Sequence, residues 1–123
     1  MSTHHENGVP WTKCVLMRYL RKNIATVNEQ IRKLRTSEDL SLREVAESIG
    51  IDTSLLGKIE RGERDPTKEQ LKQLAAFFKV DEKTLLKELL SDQIAYKIIE
   101  EEADLDTLKV AEEKVQYIKK HKT

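Results

Sequence analysis

SLREVAESIGIDTSLLGKIERG, residues 41–62, decides the fold. Ser41 is a favoured N-cap residue and Glu44 follows three positions later. At that spacing each side chain bonds the other's unpaired backbone N–H. Leu42, Val45, Ala46 and Ile49 then recur as one apolar stripe of a 3.6-period helix. Gly50 ends the stripe, as a residue free to take positive φ does at a helix C-terminus. Asp52 is placed to cap a second helix, in which Leu55, Leu56 and Ile59 are apolar and Leu56 and Ile59 face inward. Gly62 is the stop. Ala46 is small where the two helices must cross closely. Two short amphipathic helices joined by a four-residue turn have the sequence form of a helix-turn-helix.

The second of these helices has an outer face without an obvious structural purpose. Thr53, Ser54, Gly57, Lys58 and Arg61 are expected on or near it. Short hydrogen-bonding side chains early in a helix, followed by a cation, suit contact with base edges and phosphates of double-stranded DNA. Gly57 costs about 1 kcal/mol of helix propensity relative to Ala. Either it allows close approach to a DNA backbone or base edge, or it is merely tolerated. A protein-binding face would more often carry an aromatic or Met anchor there, and only Leu55 comes close.

From about Val27 to Leu90 the chain resembles the Cro/C1-type, or XRE-type, helix-turn-helix domain of bacterial and phage transcriptional regulators. Four collinear segments carry the resemblance: IRKLR at 31–35, LSLREVAESIGI at 40–51, SLLGKIERGERDPT at 54–67 and LKQLAAFFKV at 71–80. It implies an all-α fold, a five-helix Cro/C1-type (lambda repressor-like) DNA-binding domain, here with additional C-terminal helices. It further implies operator binding as a homodimer with the second motif helix in the major groove. By position, Thr53, Ser54, Gly57 and Lys58 would read bases. Ser41 and Arg43, with Arg61, Arg64, Thr67 and Lys68 of the following loop, would hold phosphates. Arg35 and Glu60 would form a partly buried ion pair tying the first domain helix to the third. One departure stands out. Where the family often has Gln just after the first cap, this chain has Leu42, and neighbouring Arg43 is the replacement phosphate contact.

Around this motif the rest of the chain orders itself. Residues 1–24 read as an N-terminal extension, flexible over MSTHHENGVP and mildly amphipathic and basic over WTKCVLMRYLRKNI. Trp11, Val15, Leu16 and Leu20 call for burial, so packing on the domain is expected before contact with DNA backbone. The domain occupies 25–90. Its first helix is expected over about 25–37, with Ile31 and Leu34 inward and SEDL as the turn. Thr67 and Gln70 make a second capping box ahead of Leu71, Leu74, Ala75 and Phe78. Asp81 is positioned to cap a fifth helix with Leu85, Leu86 and Leu89 inward. Residues 91–123 read as a C-terminal helical extension. Ile94, Ala95, Ile98 and Ile99 form another stripe, EEEADLD interrupts it, and Asp104 or Asp106 caps a last helix bearing Leu108, Ala111, Val115 and Ile118. Two heptads of that seam are too few to stand alone in water. They must pack on their own domain or on a partner subunit, and a dimer contact is the expectation. The ending AEEKVQYIKK resembles small regulators encoded beside DNA methyltransferases.

Composition narrows the function classes. Charged residues make up 36% of the 123, aromatics 5%, and Gly and Pro are rare, as suits a soluble helical protein. No apolar run approaches the roughly 20 residues of a membrane span, and no export signal opens the chain. Cys14 alone cannot make an internal disulfide and fits a reducing cytoplasm. Net charge is zero, but residues 1–80 carry 14 basic and 11 acidic side chains and residues 81–123 carry 8 and 11. A local positive face is enough for phosphate contacts. His4 and His5 lack the three or four convergent donors of a metal site. Glu100, Glu101 and Glu102 are consecutive and cannot converge on one face. Cys14 and His121 have no oriented partner for nucleophilic chemistry. No cofactor, metal, small-molecule ligand or catalytic activity is expected. Two function classes remain: a dimeric transcription regulator, and an antitoxin-like protein-interaction module whose C-terminal helices bind another protein.

Overall fold

The computed structural model describes residues 24–122. The expectations for His4, His5, Trp11 and Cys14, and for the 1–23 segment generally, lie outside the described residues. Six helices follow one another, with no strand among the described residues. They are α1 (Val27–Ser37), α2 (Leu42–Ile49), α3 (Thr53–Glu60), α4 (Lys68–Phe78), α5 (Glu82–Glu100) and α6 (Asp106–His121). None is long and apolar enough to cross a membrane. The chain divides into two compact units between Leu89 and Leu90.

In the first unit, three helices start on the same reciprocal device. Thr26 and Glu29 open α1, Ser41 and Glu44 open α2, and Thr67 and Gln70 open α4. Each pair satisfies two backbone donors that the helix itself leaves unbonded. Asp81 accepts from Thr84 N at 3.2 Å at the start of α5. Gly50 ends α2 in the left-handed region, φ 75°, which fixes the tight turn into α3. The core is built from Val27, Ile31 and Leu34 of α1, Val45, Ala46 and Ile49 of α2, and Leu56 and Ile59 of α3. Leu71, Leu74, Ala75 and Phe78 of α4, with Leu85 and Leu89 of α5, complete it. α3 packs on both α1 and α2, and α2 packs on α4. Thus the helix carrying the outer polar face is held from two sides.

The fifth helix differs from its expected extent. It runs unbroken to Glu100 rather than ending near Leu90. Ser91, Asp92 and Gln93 are polar, but none forces the backbone out of the helical region, so the apolar stripe of 94–99 continues the same helix. It ends where Glu102 takes φ 53° and Ala103 N bonds Ile98 O at 3.0 Å, the closure of a Schellman-type end.

In the second unit, Asp104 accepts from Thr107 N and Oγ1, both at 3.3 Å, so Asp104 caps α6 and Asp106 becomes its first residue. No residue of α6 is buried. Leu108, Val115 and Ile118 are 41%, 51% and 57% exposed, and Ile94 and Ile99 of α5 are exposed with them.

Candidate nucleic-acid interface

The interface is organised by what holds α3 in place. Arg35 and Glu60 make a two-pronged ion pair, Nε–Oε2 at 2.7 Å and Nη2–Oε1 at 2.9 Å. The third guanidinium nitrogen, Nη1, donates to Leu40 O at 2.8 Å. The end of α1, the turn before α2 and the end of α3 are therefore locked by one side chain. Its planar fork suits a carboxylate better than a lysine could. The hydrogen bond to Glu60 raises the Arg35 pKa, opposed by partial burial. Asn28, which the sequence reading passed over, adds a second tie: its Nδ2 donates to Ile59 O at 2.6 Å and to Arg64 O at 3.4 Å. Gln30 Nε2 bonds Glu88 Oε1 at 2.9 Å and joins α1 to α5 inside the core. Only the hydrogen-bonding pattern reveals these two polar anchors, because neither breaks the apolar stripe of α1.

With its inner face fixed, α3 presents Thr53, Ser54 and Lys58 to solvent. Asp52 is at the N-cap position but makes no side-chain cap bond. Its carboxylate instead accepts a short hydrogen bond from the Ser54 hydroxyl. The expected cap is corrected here, because Ser54, two residues on, reaches Asp52 Oδ2.

Gly57 also departs from expectation. It is buried, not open on the outer face. Arg61, four residues on, folds back over it: a Cβ on Gly57 would lie 3.0 Å from Arg61 Nη1 and 3.8 Å from Leu42 Cδ1. Spacing assigns a residue to a face but not what covers it. Arg61 itself is 55% exposed and its Nε donates to Glu63 Oε2 at 2.8 Å. That hydrogen bond, with the charge of Arg61 and more distantly of Lys58, holds the Glu63 carboxyl below the usual carboxylate range.

The remaining phosphate candidates surround this face by way of helix starts. Ser41 Oγ and Thr67 Oγ1 accept from Glu44 N at 3.0 Å and Gln70 N at 3.1 Å. Their O–H groups are donors for an anion at helix N-termini, which favour negative charge. Arg43 is exposed beside Glu47, Nε–Oε2 3.1 Å. Arg64 and Lys68 are exposed. Among the described residues no three His, Cys, Asp or Glu side chains gather as a metal site would require.

Residues 31–85 match the family model of the helix-turn-helix. This segment is a Cro/C1-type helix-turn-helix domain of the XRE family. In the helix-turn-helix domain α2 and α3 are the motif helices, and α3 occupies the place of the helix that enters the groove. The domain is DNA-binding in its family, and the regulator class follows at that level. No curated protein matches the chain.

Proposed function

We propose that this protein is a transcription regulator that reads an operator through residues 53–61. The supporting observation is the division of α3. Leu56, Ile59 and Glu60 are fastened to the core, while Thr53, Ser54, Lys58 and Arg61 stand exposed on a helix that cannot easily shift. Thr53, Ser54 and Lys58 are assigned to bases, with Arg43, Arg61, Arg64, Lys68 and the hydroxyls of Ser41 and Thr67 on phosphates. The protein acts as a homodimer, with residues 1–24 an N-terminal extension, 25–90 the DNA-binding domain and 91–123 the dimer contact. The bare apolar stripe of α6 supports that last assignment, since a lone 16-residue helix gains little stability in water. A controller of a restriction–modification system is a subtype of this reading.

The same bare helix favours one other reading, an antitoxin-like subunit whose α6 binds a different protein. Selection of duplexes from a randomised pool at moderate salt separates them. A two-fold-symmetric site with half-sites about one helical turn apart supports the operator reader. Its affinity should fall with salt at a log–log slope of about −0.9 per neutralised phosphate. No enrichment refutes it.

A further inference from the structure

Thr53 and Gly57 share one stripe of α3, and Arg61, the C-cap residue just past its end, continues that spacing, because residues four apart lie one above the other on a helix. Long helical side chains lean back toward the N-terminus. Arg61 does so, and the missing side chain at 57 is what lets its guanidinium lie against the helix. Nη1 would sit 3.0 Å, and Cζ 3.8 Å, from a Cβ at that position. The guanidinium is therefore folded back over Gly57, not extended off the end of α3. Glu63 restrains it from the other side through Nε. Nη1 and Nη2 have no partner among the described residues, and the side chain is half open to solvent.

We propose that Arg61 reads a guanine in the major groove, lodged in the slot left by Gly57 and oriented by Glu63. This rests on the operator-reading function above and changes the role of Arg61 within it, from holding a phosphate to specifying a base. Two parallel N–H groups match the O6 and N7 acceptors of guanine, a contact that needs the plane of the guanidinium set in advance. A phosphate asks only for positive charge within reach. Glu63, exposed and paired, adds little to folding. Its effect is on orientation: it occupies Nε and leaves the terminal pair free to point together. Glu63 is thus a positioning residue for Arg61, and Gly57 is a reading residue only through the space it leaves.

The test is duplex selection with the full chain, wild type against Arg61→Ala, Arg61→Lys and Glu63→Gln, each first shown to melt as wild type does. The expected wild-type site carries a guanine at one position of each half-site. Arg61→Ala should lose discrimination at that position alone, by about 5- to 150-fold, with the rest of the site intact. Arg61→Lys should keep general affinity yet lose much of that discrimination, because an ammonium lacks the fork. Glu63→Gln should keep guanine as the preferred base with a weaker preference. An Arg61→Ala protein that selects the unchanged site with uniformly lower affinity would make Arg61 a phosphate contact and overturn the inference alone. Wild-type protein that enriches no sequence would overturn the operator reading and this inference together.

Discussion

Replacing Arg35 by Ala removes three hydrogen bonds at once, two to Glu60 and one to Leu40 O. The larger effect is on what stays behind. The Glu60 side chain is only 4% exposed, so its carboxylate is left buried without its partner. Breaking a buried ion pair from one side costs about 3–5 kcal/mol. For a domain of this size each kcal/mol moves the melting temperature by roughly 4–8 °C. Arg35→Ala should therefore lower Tm by at least about 12 °C, measured by circular dichroism, and urea unfolding should show the same loss in free energy. Total stabilities run to only about 5–15 kcal/mol, so a large unfolded fraction at 37 °C is a further expected sign. The companion Arg35→Met/Glu60→Leu should recover much of the loss, because it removes the charge instead of stranding it. A loss below about 1 kcal/mol in the single variant, or a double variant no better than the single, would refute the argument that Glu60 depends on Arg35.

Gly57→Ala should raise stability by about 1 kcal/mol from helix propensity, since the added methyl meets only the movable end of Arg61 and a distant Leu42 methyl; a lowered Tm would mean the slot is needed for packing. The bond from Ser41 N–H, followed by the Ser41 hydroxyl, holds the Glu44 carboxyl below its ordinary value. A depressed folded-state pKa contributes stability that is present above the unfolded value, about 4.3, and is lost as pH falls through the folded one. Glu44→Gln, which can still accept from Ser41 N, should accordingly lose less stability than wild type in acid melts, and parallel pH curves would remove that linkage. Lys58→Ala should weaken binding by about 1–3 kcal/mol on the selected site and less on others if it reads a base; binding indistinguishable from wild type, by fluorescence anisotropy, would strike Lys58 from the interface. Val115→Asp with Ile118→Asp should leave the domain's melting unchanged, because both side chains are already exposed within the chain, yet give a monomer in sedimentation; a double variant that remains dimeric would move the dimer contact elsewhere.

What could be read in advance follows the range of the interactions. Capping boxes join residues three apart, so Ser41/Glu44 and Thr67/Gln70 were visible in the letters, and the Thr26/Glu29 pair was equally visible though not singled out. Gly50 announced its turn because few other residues take that backbone easily. Asp39, Lys79 and Glu102 adopt the same left-handed conformation at helix ends without being glycine, and there composition carries no signal. The stop at EEEADLD was legible as charge, but the continuity of α5 through Ser91, Asp92 and Gln93 was missed, because polar residues read as a break although nothing in them ends a helix. Periodicity located the core stripes well but is blind to polar side chains turned inward, so Asn28 and Gln30 were passed over. At the interface, residue types suggested the α3 face, and family resemblance suggested Arg35 with Glu60. The covering of Gly57 and the capture of Asp52 by Ser54 depend on which rotamers neighbouring side chains adopt, and spacing alone does not encode that.

The repeated capping device has a consequence for how the chain reaches its structure. Three helices can fix their first turns from contacts spanning three residues, and such contacts close on the submicrosecond scale of helix formation, about 0.1–1 μs. The Arg35–Glu60 bridge spans 25 residues and has nothing to join until α1 and α3 have docked. The expectation is that the local starts act on the folding rate and the long-range clasp on the lifetime of the native state. Interactions absent from the transition state act mainly on the unfolding rate. Changes at the caps should slow the approach to the fold, whereas loss of the clasp should hasten the departure from it.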